Sequence, residues 1–131
     1  MTKVTFWNTL AVQDLERARA FYTALGFTVQ DTPIPGGITV QPNGSVLLCL
    51  FVPQAFGGMI PGEICDAHRS QEVVQSISVD TKEAVDALAA KAKEAGGRPI
   101  GEPKEQPYGY GCGFADPDGH VWAVLWFASG P

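Results

Sequence analysis

FADPDGHVWAVLW, residues 114–126, is the stretch of this chain that most constrains its fold. It begins with a turn at Asp116–Gly119, in which proline presets one backbone angle, the aspartates cap neighbouring amides and glycine supplies a left-handed step. The strand that follows has two apolar faces, Val121, Ala123, Leu125 and Phe127 on one and Trp122, Val124 and Trp126 on the other. The strand is therefore predicted to be buried on both sides, and the small Ala123 leaves room on its face.

Two helices are predicted by hydrophobic period. The first runs from about Asp14, a potential N-cap, to Leu25, and ends at Gly26. The second is capped by Asp80 or Thr81, has a buried stripe, and ends at Gly96 and Gly97. The stripe consists of Val85, Leu88, Ala89 and Ala92.

Each helix follows one strand and precedes three others, so the chain reads as two βαβββ units offset by about seventy residues. After the first helix come strands at 27–30, 38–41 and 45–52, with a hairpin turn at 42–44; after the second come strands at 98–100, 110–114 and 121–127. The predicted fold is α+β: curved mixed sheets with helices outside and a concave cleft within. We expect a single domain, with module one at about 1–53, a connector at about 54–70 and module two at about 71–131.

The composition and charge of the chain argue against several classes of function. The net charge of −5 argues against nucleic acid and favours a neutral or cationic partner. No apolar run reaches the length of a membrane span, and no signal peptide precedes the first strand, so a cytoplasmic protein without membrane contact is expected. The three cysteines, Cys49, Cys65 and Cys112, form neither a CxxC pair nor an even disulfide set.

Three motifs together resemble the vicinal oxygen chelate superfamily, which includes glyoxalase I, extradiol dioxygenases and bleomycin resistance proteins. They are V-x-D-L at 12–15, FY-x-x-L-GF at 21–27 and DPDGH-x-W at 116–122. The resemblance covers essentially the whole chain. It implies paired βαβββ modules, a homodimer and, in the enzymes, one divalent metal held by His, Gln or Glu from several strands.

This sequence departs from the family's metal ligands at each position that can be placed. The His expected seven residues before Asp14 is Trp7, the donor of the strand that opens module two is Val74, and the Glu expected four residues after Gly119 is Ala123. The register of the strand at 45–52 is not fixed by sequence, but residues 32–62 contain no Asp, Glu or His. Indole, isopropyl and methyl groups do not coordinate metals, so we predict no metal, no cofactor and no catalytic residue.

Apolar and aromatic side chains then take the place of metal ligands, and we predict that they bind the ligand. The candidates are Trp7, Thr9, Phe51, Phe56, Met59, Val74, Ser76, Tyr108, Tyr110, Cys112, Ala123 and Leu125. Flat aromatic rings favour a flat or cationic guest.

Two functions remain open. The first is a metal-free homodimer that resembles the bleomycin resistance proteins and sequesters an aromatic or cationic natural-product antibiotic. The second is an enzyme, either a glyoxalase-like or dioxygenase-like protein with a divalent metal, or a variant that uses Tyr108, Tyr110 or Cys112 as acid or base. The scarcity of donors favours the first.

Overall fold

The structure, a computed structural model, describes residues 2–42 and 47–130. Eleven elements lie in this part of the chain: β1 Trp7–Ala11, α1 Leu15–Ala24, β2 Thr28–Asp31, β3 Gly37–Gln41, β4 Leu47–Phe51, α2 Pro53–Gly57, β5 Val74–Ser78, α3 Lys82–Glu94, β6 Arg98–Gln106, β7 Gly109–Ala115 and β8 Val121–Phe127. They divide into two compact units, 1–65 and 66–131. Of the helices described, none is long and apolar enough to cross a membrane.

Each unit contains one four-stranded mixed sheet, and the two sheets repeat one topology. The strand order is β1-β4-β3-β2 in the first sheet and β5-β8-β7-β6 in the second. The strand that opens each unit pairs in parallel with the strand that closes it, and the other neighbours are antiparallel. The predicted α+β fold with two βαβββ modules is confirmed.

The helix boundaries follow the predicted caps. Asp14 accepts hydrogen bonds from the amides of Glu16 and Arg17 at 3.0 and 3.1 Å, and Gly26 has φ +89° after the helix. For α3 the two alternatives resolve in favour of Thr81, whose hydroxyl accepts from the amide of Ala84 at 3.0 Å.

Two elements differ from the prediction. The connector contains the short helix α2, which begins at Pro53 because proline is well suited to the first helical turn. Strand β6 extends to Gln106 beyond a register shift between Ile100 and Lys104, although it contains Pro99 and Pro103. It tolerates both prolines because it is an edge strand. The predicted hairpin turn at 42–44 and the first two residues of the strand predicted at 45–52 lie largely outside the described residues.

In each unit a helix covers one face of the sheet and completes a core. In the first unit, Phe21 and Tyr22 of α1 are buried together with residues of β3 and β4, namely Ile38, Val40, Leu48 and Leu50. In the second unit, Val85 and Ala92 of α3 are buried, as are Phe114, Trp122 and Val124 of the sheet. The rings of Phe114 and Trp122 stack with centroids 6.1 Å apart. Burial of these large side chains is the main stabilising term in both units.

The turn before β8 has the predicted chemistry. The Asp116 carboxylate accepts hydrogen bonds from the amides of Asp118 and His120, both at 2.9 Å, and Gly119 has φ +92°. Gly119 also lies against the connector: a methyl group in place of its hydrogen would come within 2.7 Å of the amide nitrogen of His68. The turn therefore fixes both the entry to β8 and the path of the connector around His68.

Candidate ligand-binding faces

Each sheet has a second face that does not pack against its long helix, and we call these the helix-free faces. Strand register assigns residues to them, because residues paired across neighbouring strands point to the same side. Arg19 of α1 lies 2.7 Å from Asp31 of β2, which marks the helix side of the first sheet. Tyr110 of β7 donates a hydrogen bond to Asp86 of α3 at 2.8 Å, which marks the helix side of the second.

The helix-free face of the first sheet contains three of the predicted ligand-binding residues. Trp7 and Thr9 alternate along β1, and Phe51 shares their face because it pairs with Ala11 and Gly37. Trp7 is 50 % exposed, whereas the Phe51 ring is buried over Gly37, where no larger residue would fit. Trp7 is therefore an exposed aromatic side chain on this face.

The register of β4, which the sequence left open, places Cys49 on this same face opposite Thr9 and Thr39. Cys49 is buried, and burial raises the pKa of its thiol. A protonated, buried thiol is a poor nucleophile, so Cys49 contributes packing and not chemistry to this face.

The helix-free face of the second sheet contains four more predicted residues. Val74 and Ser76 of β5 pair with Val121 and Ala123 of β8, and Leu125 follows on the same side. Val74 is 53 % exposed, Ser76 is exposed, and Ala123 and Leu125 are half-buried. This face thus offers apolar side chains to solvent beside the hydroxyl of Ser76.

One row of paired residues with small side chains, which we call the trough, crosses this second face from β5 to β7 and consists of Ser76, Ala123 and Gly113. Ile100 of β6, a larger side chain, follows Gly113 at the end of the row. Ala123 and Gly113 are half-buried. The methyl group of Ala123 is the whole side-chain volume of this pair, because glycine has no side chain. Larger side chains, Val121 on one side and Leu125 on the other, flank it along β8. The trough is about 10 Å long from Ser76 to Gly113, two interstrand spacings.

Aromatic rings close one end of this face. Phe127 lies on the same side as Ala123 and Leu125, and Tyr108, in the turn before β7, packs against it with ring centroids 5.8 Å apart. Tyr108 is 46 % exposed. The alternation of residues in the sequence assigns Phe127 to this face, but Phe127 is not among the predicted ligand-binding residues. Gly113 and Ile100 are not among them either, because only strand register shows that they share the face of Ala123.

Tyr110 and Cys112 do not belong with these residues, which corrects their predicted position at the rim of the same pocket. In β7 the helix-free side is taken by Gly109, Gly111 and Gly113, so Tyr110 and Cys112 point to the helix side. Each of the three glycines lies so close to neighbouring backbone or side-chain atoms that an added methyl group would be crowded. The alternation of glycine with larger residues along β7 indicates that the two sets face opposite sides of the sheet. It does not indicate which set faces α3.

On the helix side, Tyr110 belongs to a polar cluster with α3. Lys82 lies 2.5 Å from Glu105, and its ammonium nitrogen is 5.6 Å from the ring centre of Tyr110 and 5.4 Å from that of Trp126. The hydrogen bond to Asp86 is the main cause that raises the pKa of Tyr110, and burial is the main cause for Cys112. Both groups are held protonated at neutral pH.

The remaining two candidates follow β4. Phe56 is half-buried in α2, and Met59, just beyond it, is 44 % exposed. Helix α2 contacts β1 and β4, so Phe56 and the neighbouring Met59 lie beside the first sheet. Strand register assigns neither residue to the helix-free face, because both follow β4.

The residues present do not fit a divalent metal. Trp7, Val74 and Ala123 carry no donor atom that metals use. Across residues 2–42 and 47–130 no group of three or more His, Cys, Asp and Glu side chains is close enough to hold an ion. In the connector, the Asp66 carboxylate accepts a hydrogen bond from the His68 amide at 2.9 Å and does not form part of a metal-binding group.

Comparison with known proteins places this geometry in context. The sequence profile described as the Glyoxalase/Bleomycin resistance protein/Dioxygenase superfamily matches residues 5–124. No curated protein matches the sequence significantly.

Several solved structures share the fold. A hypothetical protein, SA1046 from S. aureus, is 34 % identical with a TM-score of 0.87, covering 96 % of this chain and 95 % of its own. TnmS3, an antibiotic binding protein from Streptomyces sp. CB03234, is 26 % identical with a TM-score of 0.70, covering 97 % and 98 %. A glyoxalase-related enzyme from Fulvimarina pelagi is 23 % identical with a TM-score of 0.78, covering 96 % and 88 %. The last similarity concerns the fold alone.

Proposed function

The chain belongs to the glyoxalase/bleomycin resistance protein/dioxygenase superfamily, and within it we propose a metal-free protein that binds a small aromatic natural product and sequesters it. In this role affinity suffices, and no bond in the guest is made or broken. The proposal covers a resistance-type function in which the bound compound is kept from its target.

The observation that carries the proposal is the chemistry of the two helix-free faces. Where metal-dependent relatives would need donors, Trp7, Val74 and Ala123 offer ring and hydrocarbon surface. Trp7 and Val74 are about half exposed, so this surface is accessible. Exposed apolar surface of this kind is typical of binding sites.

The magnitudes are sufficient for tight binding. Each aromatic stacking contact adds about 1 kcal/mol beyond area burial, and burial of a drug-sized guest supplies most of the rest. Nanomolar affinity requires about 12 kcal/mol, which such guests reach when the surface is preformed. Both helix-free faces are built on paired strands, which keeps the cost of ordering low.

A similar protein supports the direction of the proposal. TnmS3 is described as antibiotic binding and is similar to this chain over almost its full length. An enzyme that uses Tyr110 or Cys112 is less well supported, because both lie on the helix side and both are held protonated at neutral pH. Tyr108, which packs against Phe127, remains as an acid or base candidate.

The proposal includes a homodimer. Val4 and Phe6, ahead of β1, are 83 % and 70 % exposed, which is costly for large apolar side chains that remain in water. Sedimentation velocity at several concentrations tests this part: one species at twice the chain mass supports it, and a monomer at all concentrations contradicts it.

The test of function is a fluorescence titration with polycyclic aromatic and cationic glycopeptide antibiotics, together with elemental analysis of the purified protein. Submicromolar quenching of tryptophan emission without stoichiometric metal supports sequestration. A Trp7→Ala variant should lose affinity; undiminished binding would remove Trp7 from the site. One tightly held metal ion per chain with turnover of a hemithioacetal or a catechol would establish the enzyme instead.

A further inference from the structure

We propose that the guest of the helix-free face of the second sheet is a flat aromatic anion, with its acidic group held by Arg98 and Lys104. This inference rests on the proposed function and narrows its ligand class. It also reverses the expectation, drawn from net charge, that the protein selects a cation.

Strand register puts both cations on this face. Arg98 pairs with Ala115, and Lys104 pairs with Gly111, so both share the side of Gly113 and Ala123. The register shift between Ile100 and Lys104 does not alter this assignment, because the next residue, Glu105, reaches Lys82 of α3 on the opposite side. Lys104 therefore points away from the helix.

Among the residues that strand register assigns to this face, the charge balance is positive. The residues that register places there on β5, β8 and β7 are apolar, glycine or serine, without a carboxylate. Two acidic groups of the helix side have partners there: Glu105 pairs with Lys82, and Asp86 accepts a hydrogen bond from Tyr110. Glu102 is exposed and lies in the segment between Ile100 and Lys104, to which strand register assigns no face. Arg98 and Lys104 are both exposed, and no described acidic side chain lies within ion-pair distance of either.

Local charge outweighs net charge at this site. Charges in solution are screened beyond a Debye length of about 8 Å at physiological salt, so the overall charge of −5 acts weakly on a bound guest. Arg98 and Lys104 lie along one edge, opposite β7 positions four residues apart, which corresponds to about 13 Å. An acidic group at the β6 end of the trough is flanked by both.

The shape of the trough accounts for the flat aromatic part. Ser76, Ala123 and Gly113 have small side chains and span about two interstrand spacings, and Ile100 lies beyond Gly113 on the cationic edge strand. A fused-ring system that lies along this row contacts Ala123 and Gly113 with its face and directs its end toward β6. Ser76, at the opposite end, is exposed and offers a hydroxyl.

The test compares three probes with one ring system and different charges: anthraquinone carboxylate, anthraquinone carboxamide and aminomethylanthraquinone. Their dissociation constants are measured by calorimetry at low and physiological salt. We expect the carboxylate to bind about fivefold to tenfold more tightly than the carboxamide, and the ammonium compound to bind most weakly. The preference should shrink as salt rises.

Two double variants with the same net charge separate local from global effects. Arg98→Gln/Lys104→Gln removes the cationic edge and should abolish the preference for the carboxylate. Lys91→Gln/Lys93→Gln changes two exposed lysines of α3 and should leave it intact.

Four results would overturn the inference. They are a preference that survives Arg98→Gln/Lys104→Gln, equal loss in both double variants, equal binding of carboxylate and carboxamide, and tightest binding of the ammonium compound. In the third case aromatic binding stands and only the anion is refuted. If none of the three probes binds, the proposed function fails together with this inference.

Discussion

At the residue scale, the candidate site is defined by side chains that are small. Ala123 and Gly113 are neighbours across β8 and β7, and they have the smallest side chains of any pair of these two strands on the helix-free face of the second sheet. A larger side chain at either position would fill the trough. The size of residue 123 therefore controls access to this face.

An Ala123→Leu variant should fold normally and lose at least tenfold in affinity for anthraquinone carboxamide, because the added side chain occupies the floor where the ring lies. Ala87→Leu, at an exposed position of α3, is the matched control and should bind as the unaltered protein does. Calorimetric titration measures both. Unchanged affinity in Ala123→Leu would exclude the trough as the binding site.

Gly119 shows how one residue fixes a longer stretch of chain. It has φ +92°, and a methyl group there would lie 2.7 Å from the His68 amide nitrogen and 2.8 Å from the Ala67 carbonyl carbon. Gly96 has a similar φ of +101° but has no neighbouring atom within 4 Å of the added methyl.

Gly119→Ala should therefore lower the free energy of unfolding by more than Gly96→Ala, which carries only the backbone strain of about 1 kcal/mol. Urea denaturation of the two variants and the unaltered protein gives the difference. Equal destabilisation would show that the contact with the connector does not matter.

At the element scale, α3 is joined to its sheet by the polar cluster of Lys82, Asp86, Glu105 and Tyr110. In this cluster, Lys82 of α3 contacts Glu105 of β6, and Asp86 of α3 accepts a hydrogen bond from Tyr110 on the helix side of β7. It also gives the second unit a pH-dependent contribution to stability.

The pKa of Tyr110 is raised above its ordinary value of 10.0, mainly by the hydrogen bond to Asp86. A group whose pKa is higher in the folded state stabilises the fold while protonated. This contribution is present below pH 10 and is lost as pH rises through the folded-state pKa.

Tyr110→Phe should thus lower the urea midpoint at pH 8, and its stability should fall less steeply than that of the unaltered protein above pH 10. Denaturation midpoints across that range provide the measurement. Cys112, whose pKa is also raised, mainly by burial, is present in both proteins. Parallel curves would contradict the assigned role of the hydrogen bond.

At the scale of the whole molecule, a repeated βαβββ unit supplies two sheets, each with one helix-covered face and one helix-free face. The proposed function needs only the latter. It therefore predicts that ligand binding does not depend on a metal.

Dialysis against a chelator should leave the affinity for anthraquinone carboxamide and the melting temperature unchanged. In the described residues no group of three or more His, Cys, Asp and Glu side chains is close enough together to hold an ion. At a ligand concentration one hundred times the dissociation constant, binding should add about 2.7 kcal/mol of stability, before and after chelation. A fall in affinity that is reversed by one particular divalent ion would refute the metal-free site.

Much of the fold follows from the sequence because its signals are local. Asp14, Thr81, Gly26 and Gly96 act on the backbone within a turn of their own position, so the helix ends were predictable. The Asp116–Gly119 turn was predictable for the same reason. Helix α2 was missed because one short turn has no hydrophobic period to detect.

The sequence by itself determined the α+β repeat and the helix caps, since these depend on residue type and short spacing. Only the tertiary structure decided that Cys49 and Phe51 join Trp7, that Tyr110 and Cys112 face α3, and that Arg98 and Lys104 border the trough. The physical reason is strand register, because a shift of one residue moves every side chain of a strand to its other face.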